Sequence, residues 1–172
     1  MSFLEIAEKR FSVRTFSQVQ VEDEKVKMIL RAAQIAPTAC NRQPQKILII
    51  KSKEGLDKWY KCTPCHFNET LVFVLCYEKG KDWCRPYDGV TSGYVDVSII
   101  TTHMMLEASD IGIGSTWVMN FDPEKLRLLF GIPVNFIPIS VLAMGYQAEN
   151  TKPSMDHFTN KKMSEFTVYE HF

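Results

Sequence analysis

The stretch 121-FDPEKLRLLFG-131 decides how the chain is read. Asp122 stands at the N-cap position, where a short side-chain acceptor satisfies the unpaired N–H groups of a first turn. Pro123 follows where its fixed φ suits a helix and its missing N–H costs nothing, and Gly131 comes just after the last apolar residue. The helix is thus bounded at both ends by side-chain chemistry. Before it lies 115-STWVM-119, a short strand, and after it 136-FIPISVLAMGY-146, a strand entered through prolines. A strand–helix–strand succession predicts a layered domain.

Moving outward, the same alternation continues. The runs 46-KILIIK-51 and 70-TLVFVLCY-77 read as buried strands, separated by a short helix around Leu56–Tyr60. Toward the N-terminus, 3-FLEIAEKR-10 predicts a short helix with Phe3, Ile6 and Ala7 on one face. A longer helix is expected from Glu22 to Ala36, where Val26, Ile29, Leu30 and Ala33 recur at helical spacing before Pro37 stops it. The longest helix is expected over Tyr94–Asp110, with Val95, Ile99, Thr102, Leu106 and Ser109 as its apolar stripe and Gly112 placed to end it. The tail from Lys161 to Glu170 is weakly helical. The fold class is α/β or α+β, and residues 1–172 form one domain without repeats or linkers.

Composition narrows the function. With 45% hydrophobic and 12% aromatic residues the chain can bury a substantial core. Twenty basic residues balance twenty acidic ones, so charge gives no reason to expect nucleic acid or an anionic membrane as partner. Glu5 and Glu8 interrupt the apolar stretch that a signal peptide needs, and no later run is long enough to span a bilayer. A cytoplasmic location with reduced thiols is the expectation.

That expectation bears on 62-CTPCH-66, which spells a covalent haem site, a possible dithiol and half of a zinc site. Haem attachment of this type belongs outside a reducing compartment. A dithiol needs its first cysteine acidified by a helix start, whereas this one leads into a strand. Zinc needs a second ligand pair, but Cys40, Cys76, Cys84, His103, His157 and His171 are singletons. Free cysteines acting as small apolar residues are the simplest reading.

Three stretches carry binding chemistry. In 9-KRFSVRTF-16, an extended chain places Arg10, Ser12 and Arg14 on one side, with Phe11, Val13 and Thr15 on the other. Two guanidinium forks and a hydroxyl suit a phosphate; a solvated basic face is the alternative. In 36-APTACNRQPQKILII-50, the amides and hydroxyl of Thr38, Asn41 and Gln43 could hold a heterocycle or satisfy their own helix-to-strand connection. In 110-DIGIGSTWV-118, the third glycine of a dinucleotide fingerprint falls at Trp117, and the order is helix to strand, so a Rossmann turn is excluded. No nucleophile elbow, zincin motif or Walker loop is present; His103 and Asp96 read as structural residues of the long helix. An enzyme without an evident acid, base or nucleophile relies on a bound cofactor.

Taken in order, "RFSVR", "APTACNRQP" and "EASDIGIGSTWV…FDPEKLRLLFGIP…LAMGY" resemble the short members of the FMN-dependent nitroreductase family. The resemblance implies an α+β fold around a mostly antiparallel sheet flanked by helices, in an intertwined homodimer with FMN at each subunit interface. It implies that Arg10, Ser12 and Arg14 hold the flavin phosphate and ribityl chain. Thr38, Asn41 and Gln43 would approach from the partner, and Trp117, Val118 and Met119 would line the isoalloxazine. Phe11 replaces a frequent basic residue, and "NKK" stands where Arg-Lys-Pro is familiar, which leaves the further phosphate contact to Lys161 or Lys162. The implied reaction is ping-pong hydride transfer from NAD(P)H to a nitroaromatic, quinone or activated alkene, with no catalytic side chain and no metal. A flavin-binding or storage protein without turnover is the alternative. The resemblance also places "CTPCH" in a variable stretch near the pocket, with one thiol facing substrate. It puts Trp83 and Tyr87 in a pocket-covering loop, where they stack on a substrate or simply pack.

Overall fold

The computed structural model describes residues 2–172. Four strands, β1 (Gln45–Ile50), β2 (Leu71–Glu78), β3 (Gly114–Val118) and β4 (Phe136–Gly145), form one antiparallel sheet in the order β1-β2-β4-β3. Five helices flank it: α1 (Phe3–Lys9), α2 (Asp23–Ile35), α3 (Lys53–Tyr60), α4 (Gly93–Asp110) and α5 (Pro123–Phe130). The class is α+β, as expected.

Strand β2 organises the layers. Leu71, Phe73, Leu75 and Tyr77 enter one core with α2 and α4, while Val72, Val74 and Cys76 enter the other with Trp59 of α3 and Leu126 of α5. This is the period-two alternation of a strand covered on both faces. Each fully buried Leu or Phe contributes about 1.5–3 kcal/mol. The pairing with β4 slips once: Leu75 faces Ser140 and Cys76 faces Pro138, leaving Ile139 as an extra residue. Ile139 joins the α4-side core, and the Ser140 hydroxyl also meets that side, 2.9 Å from Thr101 Oγ1, which itself donates to the Val97 carbonyl.

The helix ends follow the sequence signals. Asp122 accepts hydrogen bonds from the N–H groups of Glu124 and Lys125, both at 3.0 Å, and Gly131 takes the left-handed conformation after α5. Gly112, at φ +78°, ends α4. Gly114 serves another purpose: a Cβ there would lie 2.9 Å from Val13 Cγ2 and 3.3 Å from the Gly145 carbonyl. Its absence lets the Val13 segment lie against β3.

Two expectations, the inner face of α4 and the helicity of the tail, are corrected. The buried face of α4 is Asp96, Val97, Ile100, Thr101, Met104 and Ala108. Of the predicted stripe, Val95 and Thr102 point to solvent while Ile99, Leu106 and Ser109 are only half-buried. The helix is apolar around most of its circumference, so periodicity does not single out its inner side. Helix α1 forms where it was expected, although it buries none of its residues in this chain and Phe3 is exposed. The tail contains only short 3-10 turns, Met155–Phe158 and Met163–Glu165.

The "CTPCH" stretch is a structural connection between α3 and β2. Thr63 Oγ1 donates to the Asn120 carbonyl at 2.6 Å, and the Asp122 N–H donates to the Cys62 carbonyl at 2.7 Å. The buried Glu69 carboxylate closes the connection, accepting from Trp59 Nε1 at 2.6 Å, the Phe67 N–H at 3.1 Å and the Tyr60 hydroxyl at 3.3 Å. All five cysteines are free, and no metal-binding group of three or more His, Cys, Asp or Glu occurs among the described residues. Cys62 and Cys65 both belong to the α3/α5 side of the sheet rather than the α4 side.

Two outcomes follow. Gly114→Ala should cost about 1–3 kcal/mol of stability through overpacking against Val13, read from denaturant unfolding; an unchanged midpoint would refute the contact. In the reduced native protein, exposed Cys40 and Cys84 should react first with a thiol reagent. Cys62 and Cys76 should react only on unfolding, because burial pushes both thiols up, Cys76 to about 11. Rapid native labelling of Cys62 would contradict its place in the core.

Candidate functional site

The Lys9–Phe16 stretch adds to the β3 edge of the sheet. Ser12 bridges Ser115 of β3 in parallel, the Val13 N–H donates to the Ser115 carbonyl at 3.0 Å, and Thr116 Oγ1 donates to the Val13 carbonyl. Val13 is buried and Phe11 half-buried, as alternation requires. The alternation then breaks, because Thr15 is exposed and Phe16 takes the buried position, its N–H donating to the Phe67 carbonyl at 2.9 Å.

Arg10, half-buried, lines a cavity of about 190 Å³ together with Phe11 and Val13, and with Lys9, Gly112, Gly114, Ser115 and Gln147 among its walls; Ser12 and Arg14, predicted to share its face, are not in that lining. Among the described residues, the only side-chain partner of Arg10 is the Met105 thioether, with Nη1 3.8 Å from Sδ, a weak acceptor. Arg14 is exposed. Among the described residues, neither arginine has a carboxylate within ion-pair distance. One guanidinium without a carboxylate partner and the neighbouring Lys9, beside a cavity with two glycines in its wall, form a donor set that fits an anion.

The C-terminal tail returns to the same place. His157 Nε2 lies 3.2 Å from the Glu8 carbonyl, and its ring meets Phe11 edge-on at 6.3 Å between centroids. Phe11, which stands where a basic residue was looked for, thus serves as a docking contact for the tail that carries Lys161 and Lys162. Lys161 itself is exposed.

The Thr38–Gln43 loop is built differently. Thr38 Oγ1 accepts from the Gln43 N–H at 3.0 Å, and Asn41 Oδ1 accepts from Gln43 Nε2 at 3.2 Å, so within one chain the loop satisfies itself. Cys40, Asn41 and Gln43 all have positive φ, near +50°, a costly conformation outside glycine that the surroundings must enforce. Asp96, read from sequence as merely structural, does the enforcing. This fully buried carboxylate accepts from the Ala39 N–H at 2.8 Å and from Ser92 Oγ at 2.7 Å.

One chain does not bring the two sets together. Ala39 is tied to the first turn of α4, whereas Ser109, which lines the Arg10 cavity, lies in the last. At 1.5 Å rise per residue, Asp96 and Ser109 are about 20 Å apart. The third predicted group sits at β3: Trp117 packs toward the α4-side core, Val118 is buried in the other core, and Met119 lies beyond the strand end, exposed. Sequence reasoning missed Lys9 and Gln147, and nothing in their local pattern marks them; the glycines of 110-DIGIG-114 were noticed, but as a failed fingerprint.

Comparison with known proteins places the chain. The sequence profile of the Nitroreductase family matches residues 7–71 and 70–146. A protein of Archaeoglobus fulgidus provisionally named NADH dehydrogenase/NAD(P)H nitroreductase is 34% identical over 144 residues, covering 80% of each chain. The FMN reductase of Bacillus subtilis is 22% identical over 162 residues, covering 81% of this chain and 64% of its own. The crystal structure of a nitroreductase family protein from Clostridium difficile 630 superposes over 100% of both chains with a TM-score of 0.94 and 39% identity. An FMN-dependent nitroreductase from Clostridium difficile R20291 shares the fold, with a TM-score of 0.81 at 23% identity over 98% of this chain and 99% of that one. The profile spans the Arg10 segment, the Thr38–Gln43 loop and β3 alike, and the chain therefore belongs to the nitroreductase family.

Proposed function

We propose that the protein is an FMN-dependent NAD(P)H oxidoreductase that works as a homodimer and reduces nitroaromatics, quinones or activated alkenes in a ping-pong cycle. The observation that carries this reading is the separation of two complementary half-sites at opposite ends of α4. A two-fold axis that set α4 antiparallel to its copy would bring the Thr38–Gln43 loop of each chain to the Arg10 segment of the other. The outward face of α4 supports such a pairing, since Tyr94 and Val95 are exposed and adjoin Ile99 and Thr102 in an apolar groove.

In this reading Arg10, Ser12 and Arg14 bind the FMN phosphate and ribityl chain, and Lys161 adds a further cation from the tail docked on Phe11. Thr38, Asn41 and Gln43 present amide and hydroxyl groups from the partner, and the backbone of Trp117, Val118 and Met119 lines the ring. When bound, FMN supplies the redox chemistry, accepting hydride from NAD(P)H and returning reducing equivalents to the acceptor. The chain's own residues bind, orient and exclude water; none is required as a nucleophile, and the absence of a catalytic motif fits that division. The names of relatives, an FMN reductase and a provisional NAD(P)H nitroreductase among them, agree with the assignment.

The purified protein, supplied with FMN and desalted, should show a two-band flavin spectrum that bleaches with NADH. Arg10→Ala should weaken FMN binding about ten- to hundredfold, the loss of a charge-assisted contact of roughly 1.5–3 kcal/mol, with little change in melting temperature. Unchanged flavin affinity would sink the site. Val95→Glu, placing a charge on the outer face of α4, should shift the protein from dimer to monomer in light scattering and lower FMN affinity together. A monomeric variant with wild-type FMN affinity would contradict the shared site.

A further inference from the structure

A second cavity, of about 460 Å³, lies at the N-terminal end of α4, with Arg42, Tyr77, Lys79, Asp82, Trp83 and Thr91 in its wall. Its volume is in the range of small-molecule sites. The walls come from two loops held by one anchor. The Trp83 N–H donates to Ser92 Oγ at 3.0 Å and the Ser92 N–H donates to the Trp83 carbonyl at 2.7 Å. The same Ser92 hydroxyl donates to Asp96, which also holds Ala39, three residues before Arg42. Beneath them Gly93 allows close packing, because a Cβ there would lie 2.5 Å from the Tyr77 ring. The cavity is therefore built on the rigid start of a helix.

Its charge and shape define a ligand. Arg42 and Lys79 are exposed, and among the described residues neither pairs with a carboxylate. Asp82 is buried in the same wall, with Oδ1 accepting from the Gly80 N–H at 3.1 Å and Oδ2 without a partner. Two cations and one carboxylate leave the rim net positive. The half-buried Trp83 adds aromatic surface to that rim. An aromatic ring carrying one anionic group matches both features, with the ring on the indole and the anion on the guanidinium and ammonium groups.

We propose that this cavity is an acceptor-selecting site, in which Arg42 and Lys79 hold the carboxylate or sulfonate of an aromatic electron acceptor and Trp83 stacks on its ring. The proposal rests on the oxidoreductase reading above, in which the loop that carries Arg42 reaches the partner's flavin.

The test compares kcat/KM for 4-nitrobenzoate with that for the uncharged 4-nitrobenzyl alcohol. Their ratio should fall about tenfold in Arg42→Gln and in Lys79→Gln, chiefly through KM, and should recover in Arg42→Lys. Separately, 4-nitrobenzoate should quench tryptophan fluorescence at equilibrium, with the saturable component absent in Trp83→Phe and weakened in both Gln variants. A ratio that does not move, no saturable quenching from Trp83, or a rise in KM for NAD(P)H in place of the acceptor would each overturn the assignment. A protein that binds 4-nitrobenzoate in this way but carries no flavin and oxidises no NADH would overturn the oxidoreductase reading and leave the anion site standing.

Discussion

Covering both faces of β2 is the constraint on which the rest of this structure depends. Once Leu71, Phe73 and Leu75 face one way and Val72 and Val74 the other, neither side of the sheet can be left to water. Helices α2 and α4 must occupy one face, α3 and α5 the other. The bulge adds Ile139 to the same side as Ser140, Leu142 and Met144, so even the irregularity of the central pair serves the contact with α4. Of the two edge strands, β1 and β3, it is β3 on which the Ser12–Val13 segment settles.

Helix α4 then acts as a ruler between two kinds of chemistry. Near its end, Gly112 and Gly114 line the same cavity as Arg10, which among the described residues has no carboxylate partner. At its start, Asp96 is buried without a cation beside it and is satisfied by an N–H and a hydroxyl. A buried carboxylate left without such donors would be strongly destabilising, so the loop and the helix constrain each other. The positive φ values of Cys40, Asn41 and Gln43 are tolerable because that bond, together with Thr38, over-determines the loop.

Legibility in the sequence varied with how local the determining physics is. Helix α5 was readable to the residue because Asp122, Pro123 and Gly131 act on the backbone next to them. The arginine segment was readable up to Val13 because alternation is also local, and it failed at Thr15, where the contact of Phe16 with Phe67 lies far along the chain. The inner face of α4 was misread because Val95 and Ile99 are as apolar as Val97 and Ile100, so only the neighbours decide between them. Asp96 was passed over for a related reason: its partners Ala39 and Ser92 stand on separate loops, and no spacing rule connects them. The family resemblance covered that gap for the fold and the cofactor and put Trp83 in a pocket-covering loop, but it did not bring Arg42 and Lys79 into the same wall.

The placement of the two half-sites also has a thermodynamic consequence. If each flavin is gripped by cations of one chain and amides of another, cofactor affinity and subunit association are linked functions. Dilution would then release flavin, and saturating flavin would tighten the dimer, by equal coupling energy in both directions. In that case the hydrogen bonds that Thr38, Asn41 and Gln43 make among themselves would hold this loop in shape in the separated chain. The protein would cycle between a folded, colourless monomer and a loaded dimer, with its cellular concentration acting as the control.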